Sequence, residues 1–245
     1  MMVELERRTG SSAPALAVAD ASLQDSVLAG QDEVLVLELD ERDPTGQLLD
    51  ALATGGARPV IVRARRAASL PDPRGVRGAI MIGSERFDHA LSVGEVGAHI
   101  EWLHRADRAG TPVMAVGHGA RLLASAFGGR VTPAEHPVRG WVIVDSAIPH
   151  LIPTGPWLTW QHDVISLPSH AQVLAHNRLG PQVFRLGRHL GVQFHPEATR
   201  SSAAQWTRPR DRSSEADRLL DLIVRDPDAA TSSARRLFAT FIDSL

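Results

Sequence analysis

Pro112-Val-Met-Ala-Val-Gly-His-Gly-Ala-Arg-Leu-Leu-Ala-Ser-Ala-Phe-Gly-Gly-Arg-Val131 is the stretch on which the fold turns. It reads as a buried strand, a sharp turn and a helix. Many α/β hydrolytic enzymes present a nucleophile on such a strand–turn–helix. At the turn this chain carries Gly117, which has no side chain to attack with.

Outward from that turn, strands and helices alternate. Val34–Asp40 is a nearly continuous apolar run, suited to a sheet covered on both faces. Asp43-Pro44-Thr45-Gly46 opens a helix to about Ala53, closed by Thr54-Gly55-Gly56. Strands are predicted at Pro59–Arg63 and Gly78–Gly83, with an Arg- and Pro-bearing loop between them. The helical spacing of Val96, Ile100 and Leu103 marks a helix over 93–109, ended by Gly110. This order argues for a parallel, doubly wound sheet.

Downstream the pattern changes to short strands separated by Gly, Pro and Asn turns, at 140–145, 157–160, 172–175, 182–186 and 190–194. They predict an antiparallel extension at one sheet edge. An Arg-rich connection with Trp206 follows, read as a solvated loop, and then two closing helices near 214–225 and 230–244. Leu237, Phe238, Phe241 and Ile242 of the last helix are assigned to the core. Residues 1–30 are small, polar and weakly patterned. They are expected to form a variable lead-in to one domain over 31–245.

Composition removes whole classes of chemistry. The chain has 245 residues, is 43% hydrophobic and carries a formal net charge of −2, a balance that gives no pull toward nucleic acid or an anionic membrane. All 26 basic residues are Arg, so Schiff-base and P-loop lysines are excluded. Cysteine is absent, which excludes disulfides, thiolate metal sites and any cysteine nucleophile. No apolar run approaches the ~18 residues of a membrane span, and the N-terminus lacks the form of a secretion signal. A cytoplasmic location is expected.

The second informative segment is Gly191-Val-Gln-Phe-His-Pro-Glu197, which places an imidazole and a carboxylate at the carboxyl end of a strand, where open α/β sheets carry their sites. Together with the turn at 117, the glycine turn at Gly83-Ser84-Glu85 and Trp157-Leu-Thr-Trp-Gln-His-Asp163, it resembles the class I glutamine amidotransferase family. The likeness is to its stand-alone members similar to the glutaminase part of GMP synthase, and it runs from about Val34 to Thr199. It implies a flavodoxin-like three-layer α/β sandwich with a mostly parallel sheet and an antiparallel edge extension. In that family a Cys at the turn attacks glutamine's side-chain amide, a His assisted by a Glu moves protons, and ammonia passes to a synthetase.

The resemblance makes His195 and Glu197 the acid–base pair and Gly117 the position of the lost nucleophile. Gly83, Ser84, Glu85, His118 and Arg121 would form the oxyanion turn and pocket, with Arg121 in place of the family's Gln and Gln161 in place of its Trp-His-x-Asp histidine. Glycine also suits the strained turn, which costs a residue with a β-carbon ~1–3 kcal/mol. The expected function is that of an amidotransferase-like protein inactive as a glutaminase, serving as a binding or partner subunit. Its partner would be a synthetase or another biosynthetic protein.

The alternative is an enzyme with a repurposed pocket, a hydrolase, transferase or lyase using His195 and Glu197 on a substrate other than glutamine. Against a metal held by His118, His162, His195 and Glu197 stands the absence of a ligand spacing signature. No metal, cofactor, nucleic-acid or membrane partner is expected, while a homo-oligomer and an unidentified small-molecule ligand stay open. Arg121 would either pair with Glu85 to plug the pocket or grip an anion.

Overall fold

The computed structural model describes residues 17–19, 32–39, 46–64, 70–83, 93–198 and 227–245. The expected helix at 214–225, the loop around Trp206, and Ser84 and Glu85 lie outside these residues. In chain order the elements are β1 (Ala17–Ala19), β2 (Glu33–Glu38), α1 (Gly46–Thr54), β3 (Arg58–Arg63), β4 (Gly78–Gly83), α2 (Val93–Ala109), β5 (Val113–Gly117) and α3 (His118–Ala126). They continue with β6 (Arg130–Val142), β7 (Asp145–Ser146), β8 (Trp157–Ser166), β9 (Gln172–Asn177), β10 (Gly180–Leu186), β11 (His189–Val192) and α4 (Pro227–Ile242).

Nine of these strands form one sheet in the order β1-β3-β2-β4-β5-β11-β10-β9-β7. From β1 to β11 every pairing is parallel, and β10, β9 and β7 add the antiparallel edge. This is the expected α/β architecture. Within the 1–30 segment, Ala17–Ala19 pairs with β3 as the outer strand.

Strand alternation sorts the core into two layers. Val34, Val36, Ile80, Ile82, Met114 and Val116 face Leu48 and Leu52 of α1 and Leu237, Phe238 and Phe241 of α4. Leu35, Leu37, Met81 and Ala115 face Trp102 and Leu103 of α2 and Leu122 and Leu123 of α3. Both faces are dry, which is why β2, β4 and β5 read as unbroken apolar runs. No helix among the described residues is long and apolar enough to cross a membrane.

Two details depart from the sequence reading. The strand predicted at 140–145 is the end of a longer one, β6, which pairs with β8 in a separate two-stranded ribbon rather than joining the main sheet. Most of β6 is exposed and carries Pro133 and Pro137, so no apolar period marks it. The strand at the His-Pro-Glu segment, β11, runs parallel to β5 and so belongs to the parallel body. Stacking of Trp157 on Phe194 (centroids 4.4 Å apart, planes 13° apart) and the His195 N–H to Leu158 carbonyl bond (2.8 Å) fix the ribbon to the sheet.

His189 at the start of β11 is buried and serves as a neutral linker. Its Nδ1 accepts the Val113 N–H at 3.2 Å, and its Nε2–H faces Asp107 Oδ1 at 3.2 Å. Burial holds this imidazole below the usual histidine range, against the opposing pull of Asp107. The unfolded chain binds a proton near pH ~6.5 and the folded one resists it. The site's contribution is therefore complete above that pH and is lost as pH falls through the lower folded value. Urea unfolding of wild type and His189→Gln should give a stability difference that is flat above pH ~6.5 and shrinks on acidification. A difference independent of pH would refute this linkage.

Candidate functional site

Three strand ends build the site. The register between β4 and β5 sets Gly83 opposite Gly117, and β11 lies on the other side of β5, so the chain leaving it runs beside the same turn. Because α3 starts at His118 with no intervening residue, Gly117 must take φ 59°, ψ −116°, a region that residues with a β-carbon avoid. Space is tight as well. A Cβ at Gly117 would stand 2.5 Å from the Gly83 carbonyl oxygen, 2.6 Å from His195 Cε1 and 3.2 Å from His195 Nε2. Gly119 is equally constrained, since a Cβ there would sit 2.5 Å from the Met81 carbonyl oxygen. The first turn of α3 thus rests directly on β4.

His195 and Glu197 lie together past the end of β11. Both are buried, and His195 Nδ1 lies 2.7 Å from Glu197 Oε1. A carboxylate accepting from Nδ1–H leaves Nε2 as the nitrogen beside Gly117. Glu197 Oε2 is buried without a hydrogen-bond partner among the described residues. The pair can hold and move a proton at Nε2, and no side chain stands on the glycine beside it to receive or give one.

The remaining predicted residues divide. His118 and Arg121 are buried on the first turns of α3. Arg121 Nη1 lies 3.1 Å from Asp163 Oδ2 of β8, so the carboxylate pairing seen for Arg121 comes from the ribbon. His162 faces away, its Nε2 3.0 Å from Arg139 Nη2, and the Arg139 guanidinium also lies over the Trp160 ring at 4.6 Å. Among the described residues no group of three or more His, Asp or Glu side chains is arranged to hold a metal ion. The set of His118, His162, His195 and Glu197 does not form a centre.

Sequence reading missed two features. Gln161 is a buried amide in a ladder: its Nε2 donates to the Asp163 carbonyl (2.9 Å) and to Gln193 Oε1 (3.1 Å), and its Oε1 accepts from Gln182 Nε2 (3.4 Å). Gln193 in turn donates to the Pro181 carbonyl. Three glutamines on β8, β10 and just past β11 give no local signal until the strands are brought together. The second is Glu38, whose carboxyl is pushed up to about 7 by burial, with Arg63 acting in the opposite direction. An acid closing an apolar strand was its only mark in the sequence.

Gly187 supplies an internal control for the turn, because its φ is 57° and a Cβ there meets nothing within 4 Å. Gly187→Ala should cost about 1 kcal/mol, the conformational penalty alone. Gly117→Ala should cost clearly more, roughly 2–4 kcal/mol, since its ψ of −116° is a rarer conformation for a residue with a β-carbon and the packing against Gly83 and His195 adds to it. Equal losses in chemical denaturation would show that the turn has room to spare.

A family model described as glutamine amidotransferase class-I matches residues 87–207. The chain is 35% identical over 95 residues to a GMP synthase [glutamine-hydrolyzing] of Thermomicrobium roseum, a match covering 36% of this chain and 18% of that protein. It therefore spans less than a fifth of that relative's length. A glutamine amidotransferase structure from Methylobacillus flagellatus superposes with a TM-score of 0.75 at 22% identity, over 88% of this chain and 96% of that one. One from Thermotoga maritima gives 0.69 at 16% identity, over 87% and 99%. A putative GMP synthase component from Thermoplasma acidophilum gives 0.57 at 19%, over 88% and 94%. At these identities the structural likenesses speak to the fold.

Proposed function

We propose that this chain is a class I glutamine amidotransferase family member that does not hydrolyse glutamine and works as a binding or partner subunit. One observation carries the reading: the turn beside His195 Nε2 is a glycine, in a conformation and a space that penalise any side chain. Hydrolysis through an acyl–enzyme needs a nucleophile there, and the chain has no cysteine at any position. Without the covalent step, the His–Glu pair has nothing to activate except water, at a loss of several orders of magnitude in rate.

The altered pocket supports the same reading. Arg121 brings a guanidinium into the first turns of α3 and engages Asp163, while Gln161 is committed to its amide ladder. Two of the similar proteins carry GMP synthase in their names, which favours a synthetase or a similar biosynthetic enzyme as the partner.

Purified protein incubated with glutamine should release no ammonia above the level of its His195→Ala variant. Gly117→Cys alone should not restore turnover, because the new Cβ would clash with the Gly83 carbonyl and the His195 ring. Ammonia release by the unmodified protein would overturn the proposal. Robust hydrolysis by Gly117→Cys would show that the surrounding pocket is still competent.

A second reading rests on the intact His195–Glu197 contact at 2.7 Å. In it, His195 acts as general base on water toward an activated ester or a similar electrophile. With 4-nitrophenyl acetate as probe, this reading requires His195→Ala to abolish turnover while the melting curve stays cooperative. Hydrolysis unchanged in His195→Ala excludes it.

A further inference from the structure

At the opposite pole of the sheet lies a cleft that the amidotransferase reading does not use. It has a volume of about 360 Å³ and is bounded by the segments entering β4 and β5, the β10–β11 turn and the last turns of α4. Its floor is apolar, formed by Leu174, Leu190 and Phe241 among others, and three guanidinium-bearing residues, Arg77, Arg185 and Arg188, line it. No Asp or Glu is among the lining residues.

We propose that this cleft binds a small organic monoanion or dianion, a carboxylate or phosphate carried on an apolar body. Two of the arginines are tethered: Arg77 Nη2 donates to the Ile242 carbonyl (3.4 Å) and Arg188 Nη1 to the Gly110 carbonyl (3.1 Å). Each tether uses one of the five N–H donors of a guanidinium and holds the rest of the fork at the cleft. Among the described residues no carboxylate pairs with Arg77, Arg185 or Arg188. The side-chain charges lining the cleft are all positive, and like charges beside an apolar recess concentrate their field there.

The cleft volume falls in the range of small-molecule sites, whose usual form is an apolar lining with a few fixed polar groups. A bare inorganic anion would leave the floor empty, and an apolar molecule would leave the guanidinium groups unanswered. A molecule with both parts satisfies both.

The site is separate from the Gly117 turn. Arg77 and Pro112 precede the first residues of β4 and β5, whereas Gly83 and Gly117 end them. Five strand residues at ~3.3 Å each put the two poles roughly 15 Å apart. Occupation of the cleft is therefore independent of whether the Gly117 turn is inactive.

Calorimetric titration of the whole protein with phenyl phosphate and with 4-phenylbutyrate tests the proposal. Inorganic phosphate serves as the control without an apolar body, and 4-phenylbutan-1-ol as the control without charge. At least one aryl anion should bind about tenfold or more tightly than either control. Its affinity should fall about tenfold in Arg185→Gln/Arg188→Gln, exposed positions whose replacement leaves the melting temperature near wild type. His195→Ala should bind it unchanged, and amide shifts on titration should centre on Leu190 and Phe241. Silence from both aryl anions at millimolar concentration, equal binding of either control, or affinity that survives the double substitution would overturn the assignment.

Discussion

Two glycines facing each other across the β4–β5 ladder set the terms for the rest of the molecule. Gly83 and Gly117 are register partners at the carboxyl end of the sheet, and α3 leaves the second of them without a connecting residue. The ladder hydrogen bonds bring the Gly83 carbonyl close to the turn, and the direct strand-to-helix passage forces the positive φ of Gly117. Glycine answers both demands at once. It adopts the dihedral angles freely and presents only hydrogen to the carbonyl. Once that contact is made, α3 lies along β4 closely enough to require Gly119, and Leu122 and Leu123 are delivered into the core beside Trp102.

The polar groups around this turn pull on different elements, and their balance shapes the pocket. His195 is fixed from both sides, by Glu197 through its ring and by Leu158 through its backbone. Arg121 and Asp163 join α3 to the ribbon, and the glutamine ladder joins the ribbon to β10 and the end of β11. Water is largely excluded here, so each of these contacts is stronger than at the surface and each would be costly to leave half made. The ribbon β6–β8 belongs to no layer of the sandwich, yet it supplies one partner in nearly every one of these bonds. A catalytic pocket needs polar groups held ready for substrate; in this pocket many of them are directed at one another.

The apolar framework was legible in the sequence because burial on both faces leaves a plain mark. β2, β4 and β5 read as continuous hydrophobic runs, and the helical periods of α2 and α4 put Leu103, Leu237, Phe238, Phe241 and Ile242 into the core, with Val96 and Ile100 half-buried at its edge. The turn at Gly117 and the His195–Glu197 pair were legible as well, each being compressed into a few adjacent residues. What escaped was whatever depends on contacts between distant segments. Exposed β6, with two prolines, has no period to detect, and Gln161, Gln182 and Gln193 look like ordinary surface amides until three strands converge. Glu38 belongs to the same class, since only its surroundings raise its carboxyl to about 7.

The absence of a side chain at the turn and the position of His195 reinforce each other. A missing side chain beside a buried ring leaves a gap, and gaps in a packed interior cost stability through lost van der Waals contact. Here the imidazole occupies that gap, with Cε1 2.6 Å from the point where a Cβ would be. The ring cannot withdraw alone, because Glu197 holds Nδ1 and the backbone of His195 is bonded to β8. A side chain introduced at 117 therefore presses on the Gly83 carbonyl and on a ring that its partners hold in place. Coupling of this kind makes the empty turn a property of three segments rather than of one residue. It follows from packing alone, whichever reading of the pocket's chemistry is correct.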